Sequence, residues 1–250
     1  MNETVTKTVL LSGGNGAMGK IVHNYINTRN DFLIEAIYDP SYKGSELKSY
    51  QNLQNIHEDV VIDFSPASAI NKNIIKLITC DKHLIIGSSG LSKTSLNKLK
   101  NAVNNRKIIV IPNFSIGAAY QKLFSLKLST LFENIYIVEK HHSKKQDAPS
   151  GTAIDLAESL PTEKSSKEIK GNFYKDSKFN NKNIYSLRGD EYLAEQIVNF
   201  SNEYEELNLE HIVTSREAYV FGLKLVLDQF DSLNGFNIGL ENILADKINI

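Results

Sequence analysis

Thr8-Val9-Leu10-Leu11-Ser12-Gly13-Gly14-Asn15-Gly16-Ala17-Met18-Gly19 decides how this chain is read. An apolar, β-branched run breaks into glycines and an apolar-periodic stretch follows, so a buried strand turns directly into a helix. Gly14, Gly16 and Gly19 satisfy a G-x-G-x-x-G spacing. Such glycines permit a tight turn and close approach of backbone to a pyrophosphate, and the helix start offers unpaired N–H groups and a positive dipole end. The whole turn (Gly13, Gly14, Asn15, Gly16, Ala17, Met18 and Gly19) is therefore a candidate dinucleotide site. The next strand ends Ala36-Ile37-Tyr38-Asp39, which puts a carboxylate about 20 residues beyond the turn, where it can accept hydrogen bonds from a ribose diol. The same charge disfavours a 2′-phosphate and Pro40 brings no guanidinium, so NADH is favoured over NADPH; Lys43 leaves NADPH open.

Working outward, short apolar runs recur at Phe32–Tyr38, Val60–Phe64, His83–Gly87 and Lys107–Pro112. Between them apolar residues fall three or four apart, as in Ile70, Ile74, Leu77 and Ile78, or Leu91, Leu96, Leu99 and Val103. Strands alternating with crossover helices predict an α/β fold, a Rossmann-type doubly wound parallel sheet with ligands at the carboxyl ends of its strands. Two such ends, Phe64-Ser65-Pro66 and Gly87-Ser88-Ser89-Gly90, carry small and hydroxyl residues that let backbone approach a nicotinamide. Ser65 reads equally well as the cap of a helix entered through Pro66. Pro112-Asn113-Phe114-Ser115 lies where the rhythm changes, which makes it a candidate hinge and cofactor edge.

Beyond Pro112 a helix-like stretch from Ala118 to Phe132 precedes strands at Ile135–Glu139, Ile184–Arg188 and Glu195–Phe200, the pattern of a smaller α+β domain. The polar, weakly periodic stretch from Thr162 to Asn183 reads as a surface excursion. The last long apolar helix is expected over Glu217–Phe230. Composition limits the partners. With 28 Lys plus Arg against 29 Asp plus Glu, no overall field draws in nucleic acid or an anionic membrane. The single cysteine, Cys80, forms no internal disulfide, and the N-terminal apolar run is too short for a signal peptide or a membrane span. A cytoplasmic protein is expected, with no membrane partner and no metal site.

The segment richest in chemistry is Glu139-Lys140-His141-His142-Ser143-Lys144-Lys145-Gln146-Asp147-Ala148-Pro149-Ser150-Gly151-Thr152-Ala153. Ser150 before Gly151, Thr152 and an apolar run reads as a helix N-cap, a second anion site built of backbone N–H groups. Lys145 and the histidines add cations and proton donors. If the strand persists through His141 and His142 their side chains oppose each other, and only one need face a ligand.

This segment closely resembles the signature of the dihydrodipicolinate reductase family, E-x-H-H-x-x-K-x-D-A-P-S-G-T-A. The likeness extends to the G-x-x-G-x-M-G turn at Gly13, D-F-S-P at Asp63, G-S-S-G at Gly87 and P-N-F-S-x-G at Pro112. It continues through Leu187-Arg188-Gly189-Asp190 to His211-x-x-x-Ser215-Arg216, so it spans almost the entire chain. It implies an NAD(P)H-dependent reduction of 4-hydroxy-tetrahydrodipicolinate, a step of diaminopimelate and lysine biosynthesis, on a cyclic dicarboxylate substrate. His141 would be the acid, aided electrostatically by Lys145; His142, Lys145, Ser150, Gly151 and Thr152 would bind the two carboxylates, and Asp39 would meet the adenosine ribose. It also implies a dinucleotide-binding domain over residues 1–112, a substrate and oligomerisation domain over 113–216, C-terminal helices over 217–250 returning to the first domain, and a homotetramer. The family usually carries Gly-Glu-His where this chain has Ala194-Glu195-Gln196, and Gly235–Ile238 matches loosely. These departures are expected to affect the loop near the sheet interface more than the chemistry.

Overall fold

The computed structural model describes residues 5–245; residues 1–4 and 246–250, the outer ends of the first and last expected segments, lie outside the described residues. In chain order the elements are β1 (Lys7–Ser12), α1 (Ala17–Ile26), β2 (Phe32–Tyr38), β3 (Lys48–Ser49), β4 (Val60–Asp63), α2 (Ala67–Leu77), β5 (His83–Ile86), α3 (Lys93–Asn101) and β6 (Ile108–Val110). They continue with α4 (Ile116–Leu128), β7 (Asn134–His141), α5 (Gly151–Ser159), β8 (Lys175–Phe179), β9 (Lys182–Arg188), β10 (Ala194–Ser201), β11 (Glu206–Val213), α6 (Ala218–Asp228), β12 (Phe236–Ile238) and α7 (Leu240–Ala245). Two compact units result, one of residues 5–114 with Tyr219–Ile243 and one of Ser115–Ala218 with residues 244–245.

The first unit is a seven-stranded sheet in the order β12-β6-β5-β4-β1-β2-β3, parallel at every registered pair. Strands β4 (Val-Val-Ile-Asp) and β6 (Ile-Ile-Val) bury every residue on both faces, because helices cover both sides of a parallel sheet. Leu10, Val61, Ile74, Leu84, Leu99 and Ile108 belong to one continuous core. The strand order reverses at the β1–β4 pair, where Ser12 lies opposite Asp63; this is the switch point at which α/β sheets hold ligands. The loosely matching C-terminal segment supplies the edge strand β12, paired through Phe236 to Ile108.

The second unit is built on a five-stranded sheet, β11-β10-β7-β9-β8, with β7 and β9 parallel and the other pairs antiparallel. Its core holds Ile135 and Ile137 of β7, Ile184 of β9, Val198 and Phe200 of β10, and Ala153, Leu156 and Ala157 of α5. Strand alternation sends Glu139 and His141 to that same face, one and two pleats beyond the apolar core.

Two expectations change here. The Thr162–Asn183 stretch is not wholly an excursion: Lys175–Phe179 forms the edge strand β8, whose charged residues hide it from a hydrophobic pattern. Lys182 opens β9 fully buried, its ammonium donating to the carbonyls of Pro161 and Lys164 at 2.8 Å and of Asn180 at 3.3 Å. The departure at Ala194-Glu195-Gln196 does not fall on a loop. It begins β10, and Ala194 and Gln196 stand in register with His141 and Glu139.

Candidate active site

In the first unit the turn after β1 is shaped by two glycines. Gly13 has φ +75, and a Cβ there would lie 2.6 Å from the Phe64 carbonyl oxygen; a Cβ on Gly19 would strike the backbone of Gly13 and Gly14. The positive φ thus falls one residue before the fingerprint triplet, and Gly19 lets α1 press onto the turn. Gly16 caps α1 with no side chain engaging its amides, which leaves those donors to an anion. Gly14 is buried, Met18 half-buried, and Asn15, Gly16 and Ala17 are exposed.

Asp39 stands just after β2. Its Oδ1 accepts from the Ser41 amide (2.8 Å) and hydroxyl (2.7 Å), and its Oδ2 accepts from the Asn15 amide (2.9 Å). Desolvation pushes this carboxyl up, but the Ser41 and Asn15 hydrogen bonds outweigh it and hold the group below its ordinary value. Asp39 therefore ties the turn to β2 and keeps acceptor capacity on Oδ2. The other strand ends behave differently. Asp63, fully buried, takes the Ser65 hydroxyl at 2.9 Å and the Ser88 hydroxyl at 2.5 Å, and Ser65 also bonds Ser12 and Asn73. Ser65 caps no helix: Pro66 is the N-cap of α2. At Ser65 and Ser88 it is backbone, with hydroxyls turned inward, that the loops present. Gly87 lies under the rings of Phe64 and Phe114, whose centroids are 5.6 Å apart; Ser89 and Pro112 are exposed and Asn113 is half-buried. An uncapped helix start behind a glycine cradle, with a carboxylate at the end of the neighbouring strand, fits a pyridine dinucleotide.

In the second unit His141 closes β7. Its Nδ1 lies 2.5 Å from Oε2 of the buried Glu139, and Arg188, opposite His141 in the β7–β9 register, donates to both Glu139 oxygens at 3.1 Å. Burial pushes the Glu139 carboxyl up, but the His141 and Arg188 hydrogen bonds overcome it and lower the group to about 2. Glu139 is thus a carboxylate at neutral pH, able only to accept, so His141 donates Nδ1–H to it and Nε2 is left to exchange protons with a ligand. His142 lies beyond the strand. Desolvation, with the charges of Arg216, His141, Lys145 and Arg188, holds its imidazole below the ordinary value, which suits it to neutral hydrogen bonding more than to charge pairing.

The Lys145 ammonium grips both oxygens of Asp147 at 2.7 Å. Ser150 is the N-cap of α5, its hydroxyl accepting from the Ala153 amide at 3.2 Å; Gly151 has open space where a Cβ would stand, and Thr152 is half-buried. The structure brings His141, His142 and Lys145 into one cationic field and sets Ser150, Gly151 and Thr152 at the start of a helix. Sequence reasoning assigned no role to Glu139 or Arg188. Glu139 was findable, two residues before His141 on a strand; Arg188 was not, because only strand pairing places it there. Among the described residues no group of three or more His, Cys, Asp or Glu could hold a metal ion, and no helix is long and apolar enough to cross a membrane.

A Rossmann-type unit joined in one chain to a unit that presents a proton donor in a cationic field defines an α/β oxidoreductase using a pyridine nucleotide. The family model described as dihydrodipicolinate reductase, N-terminus, matches residues 7–114, and that of the C-terminus matches residues 117–244. The chain belongs to the dihydrodipicolinate reductase family. It is 31% identical over 264 residues to the 4-hydroxy-tetrahydrodipicolinate reductase of Lactobacillus acidophilus, covering 96% of this chain and 99% of that protein. It is 32% identical over 242 residues to that of Coxiella burnetii, with 94% and 98% covered. A dipicolinate-bound dihydrodipicolinate reductase from Paenisporosarcina sp. TG-14 shares the fold at a TM-score of 0.76 and 24% identity, over 96% of this chain and 100% of that one. A myo-inositol dehydrogenase from Lactobacillus casei shares it at 0.61 and 16%, over 96% and 91%.

Proposed function

We propose that this protein reduces 4-hydroxy-tetrahydrodipicolinate to tetrahydrodipicolinate with loss of water, in the pathway to diaminopimelate and lysine. The observation that carries this is the second unit's loop, where His141 is held by an ionised Glu139 beside a lysine already gripping a carboxylate.

The first unit binds the dinucleotide through the Gly13–Gly19 turn, the start of α1, Asp39 and the backbone at Phe64, Ser65, Gly87, Ser88, Ser89, Pro112, Asn113 and Phe114. Asp39, with an acceptor site open on Oδ2 and no arginine beside it, favours NADH. Residues 113–216 form the substrate and oligomerisation domain. Lys145 receives one substrate carboxylate in place of Asp147, and the α5 amides with Ser150, Gly151, Thr152 and His142 receive the other. Departure of the ring hydroxyl as water leaves an imine conjugated with a carbon–carbon double bond. The reduced nicotinamide, when bound, supplies hydride to C4. Negative charge then passes into the ring as an enamine, and His141 Nε2 delivers a proton to the adjacent carbon while Glu139 stabilises the imidazolium. The protein works in the cytoplasm as a homotetramer joined through the sheet of the second unit; Val138, Ile197 and the exposed Ile212 lie on its outer face and support that interface.

The test is reduced-nicotinamide oxidation with enzymatically generated 4-hydroxy-tetrahydrodipicolinate, for NADH and NADPH separately. His141→Gln is expected to lower kcat about 10²–10⁴-fold with NADH binding unchanged. Full activity in that variant would remove His141 as the acid; a wild type indifferent to this substrate would point to another imino-acid dehydrogenase on the same scaffold.

A further inference from the structure

Arg188 has five N–H donors, and all five are engaged. Nη1 and Nη2 hold the two oxygens of Glu139, Nη1 also donates to the Leu187 carbonyl, Nη2 to the Asp147 carbonyl at 2.6 Å, and Nε to the Lys145 carbonyl at 3.1 Å. The side chain is 5% exposed, and its guanidinium lies over the Tyr174 ring at 5.3 Å. Two of these bonds fix the partner of the proton donor. Two others fix the backbone on which Lys145 stands, because the Lys145–Asp147 segment leaves β7 as a loop; within that loop the Lys145 N–H donates to the His142 carbonyl at 3.0 Å.

We propose that Arg188 is a positioning residue that sets the distance between the proton donor His141 and the carboxylate clamp Lys145, so that proton delivery and substrate grip are fixed by one guanidinium. The proposal rests on the reductase reading above for its catalytic consequence, and on geometry alone for its structural one. A planar fork is required. A lysine offers three donors from a single point and cannot span a carboxylate and two separate carbonyls. The two partners then separate kinetically: Glu139 bonds His141 directly and reaches the Lys145 backbone only through Arg188, whereas Arg188 bonds the carbonyls of the clamp itself.

The experiment compares kcat and KM for Glu139→Gln and Arg188→Lys, with a substrate-free measurement on the wild type. Glu139→Gln is expected to lower kcat with KM within about threefold. Arg188→Lys is expected to lower kcat and raise KM together, for a loss of kcat/KM on the order of 100-fold, the usual cost of a 1 Å misplacement. Guanidinium ion added to Arg188→Gly is expected to restore activity in part. The wild-type readout needs neither substrate nor a folded variant. The chain has four arginines, and the Nε–H of Arg188 is expected to exchange with solvent far more slowly than that of the exposed Arg216. Exchange at equal rates overturns the proposal, as does Arg188→Lys with wild-type kcat and KM. A wild type that binds NADH but ignores the dipicolinate substrate removes the functional reading instead, and the exchange measurement then decides the role of Arg188 by itself.

Discussion

Lowering the pH should unlock the second unit at Glu139, and the size of the effect can be worked out. The carboxyl is brought from its ordinary 4.5 to about 2 by His141 and Arg188, against the opposing push of burial. A carboxyl depressed in the folded state contributes stability that is fully present above its unfolded pKa and is lost as pH falls through its folded one. At about 1.4 kcal/mol per unit, Glu139 contributes about 3 kcal/mol at neutral pH, and less than half of that near pH 3. Glu139→Gln removes the titrating group while keeping its shape, and leaves the Arg188 charge buried without a counter-charge. Urea denaturation of wild type and variant, followed by near-ultraviolet dichroism of the tyrosines because the chain has no tryptophan, should show a gap of about 3 kcal/mol at pH 7 shrinking to about 1 kcal/mol at pH 3. Subtracting the variant cancels the titration of the other acids. A gap that stays constant with pH would refute the ionised, doubly bridged Glu139, and with it the fixed tautomer of His141.

Gly19→Ala is expected to weaken NADH binding at least ~10-fold, because the new methyl must push the Gly13–Gly14 backbone out of the dinucleotide turn; calorimetric titration with NADH checks this, and wild-type affinity would show that the turn is not the binding site. Lys182→Met keeps most of the unbranched, buried side chain but strips the donor from the carbonyls of Pro161, Lys164 and Asn180. It is expected to cost about 2–4 kcal/mol of unfolding free energy in urea, and a variant as stable as the wild type would mean that those carbonyls find water instead.

Legibility in the sequence followed the physics of each element. The first unit's central strands and crossover helices are local patterns: β4 runs over Val60–Asp63, inside the apolar run that predicts it, because burial on both faces leaves a nearly unbroken hydrophobic signature. Edge strands carry no such signature. β8 reads Lys-Asp-Ser-Lys-Phe and β11 Glu-Leu-Asn-Leu-Glu-His-Ile-Val, and only pairing with β9 and β10 makes strands of them. The same distinction placed the departure at Ala194–Gln196. Read along the chain, Glu195 and Gln196 opened an expected strand and the effect of the departure was assigned to a nearby loop; in the sheet it lies beside Glu139 and His141, where Gln196 exchanges side-chain and backbone hydrogen bonds with Gln121.

The sequence by itself determined what is short-range: a strand–glycine turn–helix of the kind that admits a pyrophosphate, a carboxylate at the end of the second strand, and a loop in which histidine, lysine and a helix start fall within fifteen residues of one another. Tertiary structure alone decided what those groups can do. Asp63 claims the hydroxyls of Ser65 and Ser88, Asp147 meets Lys145, and a guanidinium brought from β9 holds the carboxylate that fixes the tautomer of His141. The physical reason is that composition and spacing encode which groups are present, whereas hydrogen-bond direction and charge state depend on desolvation and on partners that strand pairing brings from far along the chain.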